Sequence, residues 1–161
     1  MKTRNLVFNI ILCFAVVVSL SIIPVNVSYA KTKVKVNKEE IKVSLEEEVF
    51  SLVNEKREEE GLDPLVWNKT LTKDALSRAK EISKKFSHTR PNGKEWYTLD
   101  EKNMYGENLG KNYSTAQEVF DAWMNSESHK ENILWEDFTQ IGIALYITKD
   151  GSYYWVQEFG Y

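Results

Sequence analysis

Apolar residues recur at three- and four-residue steps through the first part of the domain. Ser44 and Glu47 have the spacing of a capping box, and the apolar stripe behind them predicts a helix over residues 44–60. Gly61 is expected to end this helix as its C-terminal cap. Pro64 disfavours a helix in the segment that follows, so an extended connector is predicted there.

Two more helices are predicted from the same periodicity. Residues 69–85 carry an apolar stripe on one face and basic residues on the other. A shorter helix starts at Ser114 or Thr115, where a following Gln or Glu can complete a capping box. Residues 130–134 are predicted to form one more helical turn.

The last third of the chain changes to a period of two. Alternating Ile and Leu residues predict a strand over 141–147, and Asp150-Gly151 predicts a tight hairpin turn with both central residues at positive φ. Residues 153–159 form the returning strand. Helices come first and an antiparallel pair comes last, without strand–helix–strand alternation, so the predicted fold class is α+β.

The N-terminal part has the features of a secretory signal peptide over residues 1–30. A basic start precedes the apolar run Leu6–Ile23, and Ser28-Tyr29-Ala30 supplies small residues for cleavage. An uncleaved membrane anchor is the alternative, because the run approaches the length of a bilayer span. Residues 31–43 are then expected to be a basic tether, and residues 44–161 the domain.

Removal of this segment changes the composition of the domain. Cys13 is the only cysteine, so the mature domain has no cysteine and no disulfide. The remaining 19 basic and 24 acidic residues give a net charge of −5. A mildly acidic domain gives no reason to expect nucleic acid as a partner. Membrane contact is expected only through an uncleaved signal peptide.

Three residues are candidates for a site. His88 and His129 are the only histidines, each follows a predicted amphipathic helix, and Glu107 lies between them beside a glycine. Two imidazoles and a carboxylate can hold a divalent metal and leave one position open. A His–Glu pair can instead act as a base and the group that orients it, with Glu107 as the candidate base. The spacing does not decide between these uses.

The strong local motifs of catalysis are absent. His129 is followed by Lys130-Glu131-Asn132, so there is no His-Glu-x-x-His helix, and there is no Gly-x-Ser-x-Gly elbow. Three aromatic residues in predicted loops, Trp96, Tyr97 and Trp135, are candidates for a cleft that takes a lipid or a glycan, or for covers of the core.

Five ordered segments resemble the CAP superfamily of cysteine-rich secretory proteins, antigen 5 and pathogenesis-related 1 proteins, in its bacterial secreted branch. The resemblance covers about residues 44–161. The segments are Phe86–Pro91, Gly106–Leu109, Trp123–Leu134, Phe138–Ala144 and Tyr154–Gly160.

The resemblance implies a three-layer α-β-α sandwich with a central antiparallel sheet and a large cleft lined by two His and two Glu. His88, Glu107 and His129 match three of these residues. The second Glu of the family falls at Ser126 in this chain, with Glu127 adjacent. The three matching residues are therefore expected to hold Zn²⁺ or another divalent cation, with water completing the shell.

The resemblance also implies a function outside the cell. Members are described as binding modules for sterols, lipids or proteins, and a few as peptidases. A secreted binding module for a lipid, glycan or protein is the first expectation. The alternatives are a metal-assisted hydrolase of peptide or cell-wall material with Glu107 as base, and a structural surface or coat protein. The medium, the cell wall and the spore are all left open as final locations.

Overall fold

The computed structural model describes residues 37–161. The predicted signal peptide and residues 31–36 of the predicted tether lie outside the described residues. The described chain contains four helices, a short 3₁₀ helix and four strands. They are α1 (Lys38–Glu59), β1 (Val66–Trp67), α2 (Lys69–Ile82), the 3₁₀ helix (Trp96–Leu99), β2 (Gly106–Lys111), α3 (Ala116–Met124), α4 (Glu127–Leu134), β3 (Gln140–Ile147) and β4 (Tyr153–Gly160).

Helix α1 begins earlier than predicted. The Asn37 side chain accepts hydrogen bonds from the backbone N–H groups of Glu39 and Glu40, and the Glu40 carboxylate accepts from the Asn37 N–H. This capping box replaces the one predicted at Ser44, which was wrong, and residues 38–43 are helical rather than part of a tether. The prediction that Gly61 ends this helix is confirmed, since Gly61 follows the last turn of α1 with φ 77°.

The sheet has the strand order β1-β3-β4-β2. Strands β3 and β4 form the predicted antiparallel pair, β2 pairs antiparallel to β4, and β1 pairs parallel to β3. The expected central antiparallel sheet is confirmed for three strands, and β1 adds a two-residue parallel pair at one edge, which makes the sheet mixed. This strand is the predicted extended connector after α1.

The three predicted layers are confirmed. One face of the sheet packs against α1, α3 and α4 through a cluster that includes Val53, Trp123, Ile133 and Ile143. The other face packs against α2. Gly142 allows α2 to approach closely, because a Cβ there would lie 2.2 Å from backbone atoms of the helix. Among residues 37–161, no helix has the length and apolar character needed to cross a membrane.

Three local expectations differ from the structure. The Gly106–Leu109 segment, for which the sequence predicted no helix or strand, belongs to strand β2. The helical turn predicted over residues 130–134 is the second half of α4, which begins at Glu127 and therefore includes His129. The hairpin turn is longer than predicted, since the Gly151 N–H donates to the Thr148 carbonyl and only Gly151 of the turn has positive φ.

Candidate functional site

Three elements bring the predicted residues to one cavity. His88 follows α2, Glu107 is the second residue of β2, and His129 is the third residue of α4. All three line a cavity of about 400 Å³, here called the histidine cleft. Its other lining residues are Trp96, Tyr105, Gly106, Ser128, Glu131 and Asn132.

The Glu107 carboxylate is already engaged on both oxygens. The Arg78 guanidinium donates from Nε to Oε2 at 2.7 Å and from Nη2 to Oε1 at 3.2 Å. Nδ1 of His88 lies 2.8 Å from Oε1. Arg78 is fully buried and Glu107 is 4% exposed. A buried carboxylate thus has a buried counter-charge, which satisfies the requirement that interior charges be paired.

Arg78 also connects α2 to the segment that carries His88. Its guanidinium donates to the backbone carbonyls of Ser87 and His88 at 2.9 and 3.3 Å, and to the Glu81 carboxylate at 2.6 Å. Burial opposes the charge of Arg78, but Glu107 and Glu81 outweigh it and raise the pKa of the guanidinium. Glu81 in turn accepts from Arg90 at 2.8 Å. The result is a chain of alternating charges beneath the cleft.

The His88 ring is oriented by this network and remains accessible. Its side chain is 53% exposed, and no group within residues 37–161 bonds its Nε2 atom. When Nδ1–H donates to the carboxylate, Nε2 carries the lone pair. A carboxylate that fixes a histidine tautomer in this way is the usual companion of a metal-binding imidazole.

His129 has a different environment. Its Nδ1 atom is buried and has no hydrogen-bond partner within the described part of the chain. Burial, followed by the charge of nearby His88, lowers the pKa of the His129 imidazole. Helix α4 is fixed against β2 by Asn108, whose Nδ2 donates to the His129 carbonyl at 3.0 Å and whose Oδ1 accepts from Asn132 at 2.9 Å.

A second carboxyl group, that of Glu158, lies beneath the cleft and was not predicted from the sequence. Glu158 of β4 lies directly opposite Glu107 in the antiparallel register and is fully buried. Neither of its carboxyl oxygens accepts a hydrogen bond from any donor in residues 37–161. Burial, and then the negative charge of Glu107, raise the pKa of Glu158 well above its ordinary value. As a neutral acid, Glu158 can donate its O–H to Glu107.

Ser126, at the position of the family's second Glu, and the adjacent Glu127 do not line the histidine cleft. Ser126 is the N-cap of α4 and makes no side-chain capping bond. Glu127 lines a neighbouring groove together with Trp135. Glu131 lines both cavities, and of the three loop aromatics only Trp96 reaches the histidine cleft.

The predicted three-ligand metal set does not fit this geometry. Residues 37–161 contain no group of three or more His, Cys, Asp or Glu side chains placed to hold a metal ion. Glu107 fails as a direct ligand because Arg78 and His88 occupy its oxygens. The atoms left for binding a metal ion are the free nitrogens of His88 and His129. Glu107 would then orient the His88 ring through its contact with Nδ1.

The fold and the histidine cleft define a class of protein. Residues 50–159 match the model of the cysteine-rich secretory protein (CAP) family, and the chain belongs to this family. It is 35% identical over 119 residues to YkwD, an uncharacterised protein of Bacillus subtilis, and the match covers 70% of this chain and 45% of YkwD.

Solved structures show the same fold. An extracellular protein from Bacillus anthracis that contains an SCP domain has a TM-score of 0.66 at 24% identity, over 78% of this chain and 44% of that one. An outer surface protein of Borrelia burgdorferi has a TM-score of 0.64 at 27% identity, over 74% of this chain and 96% of that one. The chain thus spans less than half the length of YkwD and of the B. anthracis protein.

Proposed function

We propose that this protein is an extracellular binding domain whose histidine cleft holds a ligand without turning it over. One observation carries the proposal: both oxygens of Glu107, the expected base, are engaged by Arg78 and His88. The extracellular setting is supported by the predicted signal peptide over residues 1–30 and by the bacterial neighbours, which are described as extracellular or outer-surface proteins.

A general base must have an oxygen within hydrogen-bond reach of the proton that it removes. The Glu107 carboxylate is buried and bonded to two donor groups, so it directs no free oxygen to a water in the cleft. The metal-assisted hydrolase with Glu107 as base would require Glu107 to leave Arg78. The geometry therefore favours binding over hydrolysis of peptide or cell-wall material.

The cleft would take a divalent cation such as Zn²⁺ through His88 Nε2 and a nitrogen of His129. The cation would act as a Lewis acid that coordinates an oxygen or nitrogen of the ligand. Glu107 would hold the His88 ring in place. A protein described as NaASP2 with Zn²⁺ has the same fold, with a TM-score of 0.56 at 14% identity over 72% of this chain and 78% of that one.

The ligand belongs to one of three classes, lipid, glycan or protein. The cleft is built mostly from polar side chains, among them His88, Ser128 and Asn132, with aromatic walls from Trp96 and Tyr105. Outside the cell, the proposed location is the cell wall or the spore surface. A purely structural coat protein is the remaining alternative, because the Arg78–Glu107–His88 network also ties three segments together.

Calorimetric titration of metal-free protein with Zn²⁺ near neutral pH tests the proposal. We expect one site, with affinity lost in His88→Ala and His129→Ala. Glu107→Gln is expected to weaken binding by about 10- to 100-fold, because it removes the group that orients His88. Melting curves of each variant separate loss of the site from loss of the fold.

Ser126→Ala is the matched control, because Ser126 does not line the cleft and makes no capping bond. It should bind Zn²⁺ as the wild type does. Absence of any heat of binding in the wild type would exclude the metal part of the proposal. Turnover of a peptide or peptidoglycan library that Glu107→Gln abolishes would overturn the assignment as a binding domain.

A further inference from the structure

A second cavity of about 530 Å³ lies beside α4, next to the histidine cleft, and is here called the α4 groove. It combines an apolar floor with a charged rim. Leu62, Leu134 and Trp135 supply the apolar surface. The charged residues are Glu127, Glu131, Glu136 and Lys130.

The rim has an excess of negative charge. Glu127, Glu131 and Glu136 are exposed, and none of them has an ion-pair partner within 4.0 Å among residues 37–161. One lysine, Lys130, lines the same groove. The resulting field attracts a positively charged ligand and repels an anionic one.

Trp135 is held in position within the groove. Arg57 is fully buried, and its Nη1 donates to the carbonyls of Ile133 and Trp135 at 2.8 and 2.9 Å. The indole lies against Phe138, with ring centroids 6.4 Å apart, and yet Trp135 is 50% exposed. A half-exposed indole beside carboxylates suits a ligand that carries both apolar groups and cations.

The chain itself contains a segment with the complementary pattern. Residues 31–36, which lie outside the described residues, read Lys-Thr-Lys-Val-Lys-Val. In an extended chain, successive side chains point to opposite sides, so the three lysines would face one way and Thr32, Val34 and Val36 the other. The lysines match the carboxylates of the rim, and the valines match the floor.

The point where the segment joins the domain lies far from the groove of the same molecule. It joins the domain at Asn37, at the start of α1, whereas Leu62 bonds the carbonyl of Arg57 near the other end of that helix. About 20 helical residues separate these points, a distance of roughly 30 Å. Six extended residues span only about 20 Å. A second copy of the chain has no such restriction.

We propose that residues 31–36 of one copy dock in the α4 groove of a second copy. Reciprocal exchange of the segment between two copies fills both grooves and closes a symmetric dimer. The contact involves neither His88 nor His129. Glu131 lines both cavities, so the segment variant, which leaves Glu131 unchanged, is the one that separates this contact from the function proposed for the histidine cleft.

Sedimentation velocity on the naturally processed protein tests the contact. The wild type is expected to dimerise with rising concentration, and more weakly at high salt, because exposed charges are screened. A segment variant, Lys31→Glu with Lys33→Glu and Lys35→Glu, should weaken dimerisation at least about ten-fold, since three exposed ion pairs become repulsive. A groove variant, Glu127→Lys with Glu131→Lys and Glu136→Lys, should do the same.

Mixing the two variants gives the sharpest result, because each supplies the charge that the other lacks. We expect the mixture to associate although each variant alone does not. A control variant with Lys84→Glu, Lys85→Glu and Lys94→Glu has the same net charge as the segment variant and changes exposed lysines elsewhere. It should dimerise like the wild type.

Three outcomes would overturn the proposal. The first is a wild type that stays monomeric at every concentration. The second is a control variant that weakens dimerisation as much as the segment variant. The third is a mixture that fails to associate. Retention of Zn²⁺ binding in the segment variant would separate this contact from the histidine cleft, since a misfolded variant would lose both.

Discussion

At the scale of single residues, the chemistry of the cleft depends on the surroundings of Glu107. The carboxylate has Arg78 on one side, His88 on another and Glu158 across the strand pair. Two adjacent buried carboxyls cannot both ionise without large cost, so one of them stays neutral. Arg78 and His88 stabilise the charge on Glu107, which leaves the proton on Glu158.

Glu158→Gln tests this assignment through the pH dependence of stability. A group whose pKa is raised on folding contributes stability below its unfolded pKa, here about 4.5, and that contribution is lost as the pH rises through the folded pKa. The wild type should therefore lose stability with rising pH relative to Glu158→Gln, by up to about 1.4 kcal/mol per pH unit in that window. Urea unfolding at pH 5 and pH 8 measures the difference.

Glu55→Gln is the matched control, because Glu55 is exposed on α1. Its stability relative to the wild type should not change between the two pH values. If the difference between Glu158→Gln and the wild type is the same at pH 5 and pH 8, Glu158 does not hold a proton in the folded state.

The sequence contained a signal for one of the two site residues that were missed. Arg78 lies three residues after Ala75 and four before Ile82, so it falls on the apolar stripe of α2, where a charged residue needs a partner. Glu158 gave a weaker signal, because its partner, Glu107, is 51 positions away in the sequence. Pairing at that distance depends on the strand register, which local patterns do not specify.

At the scale of elements, long periodic segments were predictable and short ones were not. The α3 capping box is confirmed, with Thr115 as N-cap and Glu118 at its third position. At α1, Asn37 and Ser44 both precede a glutamate by three residues, so the sequence alone could not choose between them. Strand β2 was missed because Gly and Asn have low strand propensity, and its stability comes from pairing with β4.

The contact between α2 and the sheet depends on a glycine, and Gly142→Ala tests it. The added Cβ would lie 2.2 Å from backbone atoms of Leu71 and Thr72, which cannot rotate away, so α2 must move. We expect a loss of about 3 kcal/mol, at the upper end of the overpacking range. Guanidinium unfolding measures it.

Gly110→Ala provides the comparison within the same sheet. Its added Cβ would meet side-chain atoms, Val119 Cγ2 at 2.7 Å and Trp155 Cβ at 3.2 Å, and the valine can adjust. The expected loss is about 1 kcal/mol. Equal losses in the two variants would mean that α2 is not held against the sheet as described.

At the scale of the whole molecule, the order of layers was predicted from the family resemblance and not from periodicity. Alternation in β3 predicted one buried face, whereas Ile143 packs towards α1 and α3 and Ala144 packs towards α2. The convergence of His88, Glu107 and His129 follows from this architecture, because α2, β2 and α4 approach one another only once the sheet is assembled. No local pattern in the sequence contains that information.

The same architecture predicts how stability is distributed along the chain. Strands β3 and β4 lie at the centre of the sheet with both faces buried, so their amides should exchange only through global unfolding. Residues 38–43 are largely exposed, and the first α1 residue buried against the sheet is Glu46, which accepts from the Leu145 N–H at 2.6 Å. Amides of the first turns of α1 should therefore exchange through local fraying, at least about a hundred-fold faster.

Hydrogen exchange followed by mass spectrometry distinguishes these segments, because peptides covering residues 38–44, 141–147 and 154–159 can be compared directly. Lys38 provides the internal control: its ammonium bonds the carbonyls of Ile147 and Thr148 at 3.0 and 2.9 Å. Lys38→Ala should speed exchange further in residues 38–44 and leave the two strands unchanged. Equal protection of all three peptides in the wild type would show instead that the start of α1 unfolds together with the sheet. The contact of Lys38 with the two carbonyls would then contribute more stability than an exposed lysine normally does.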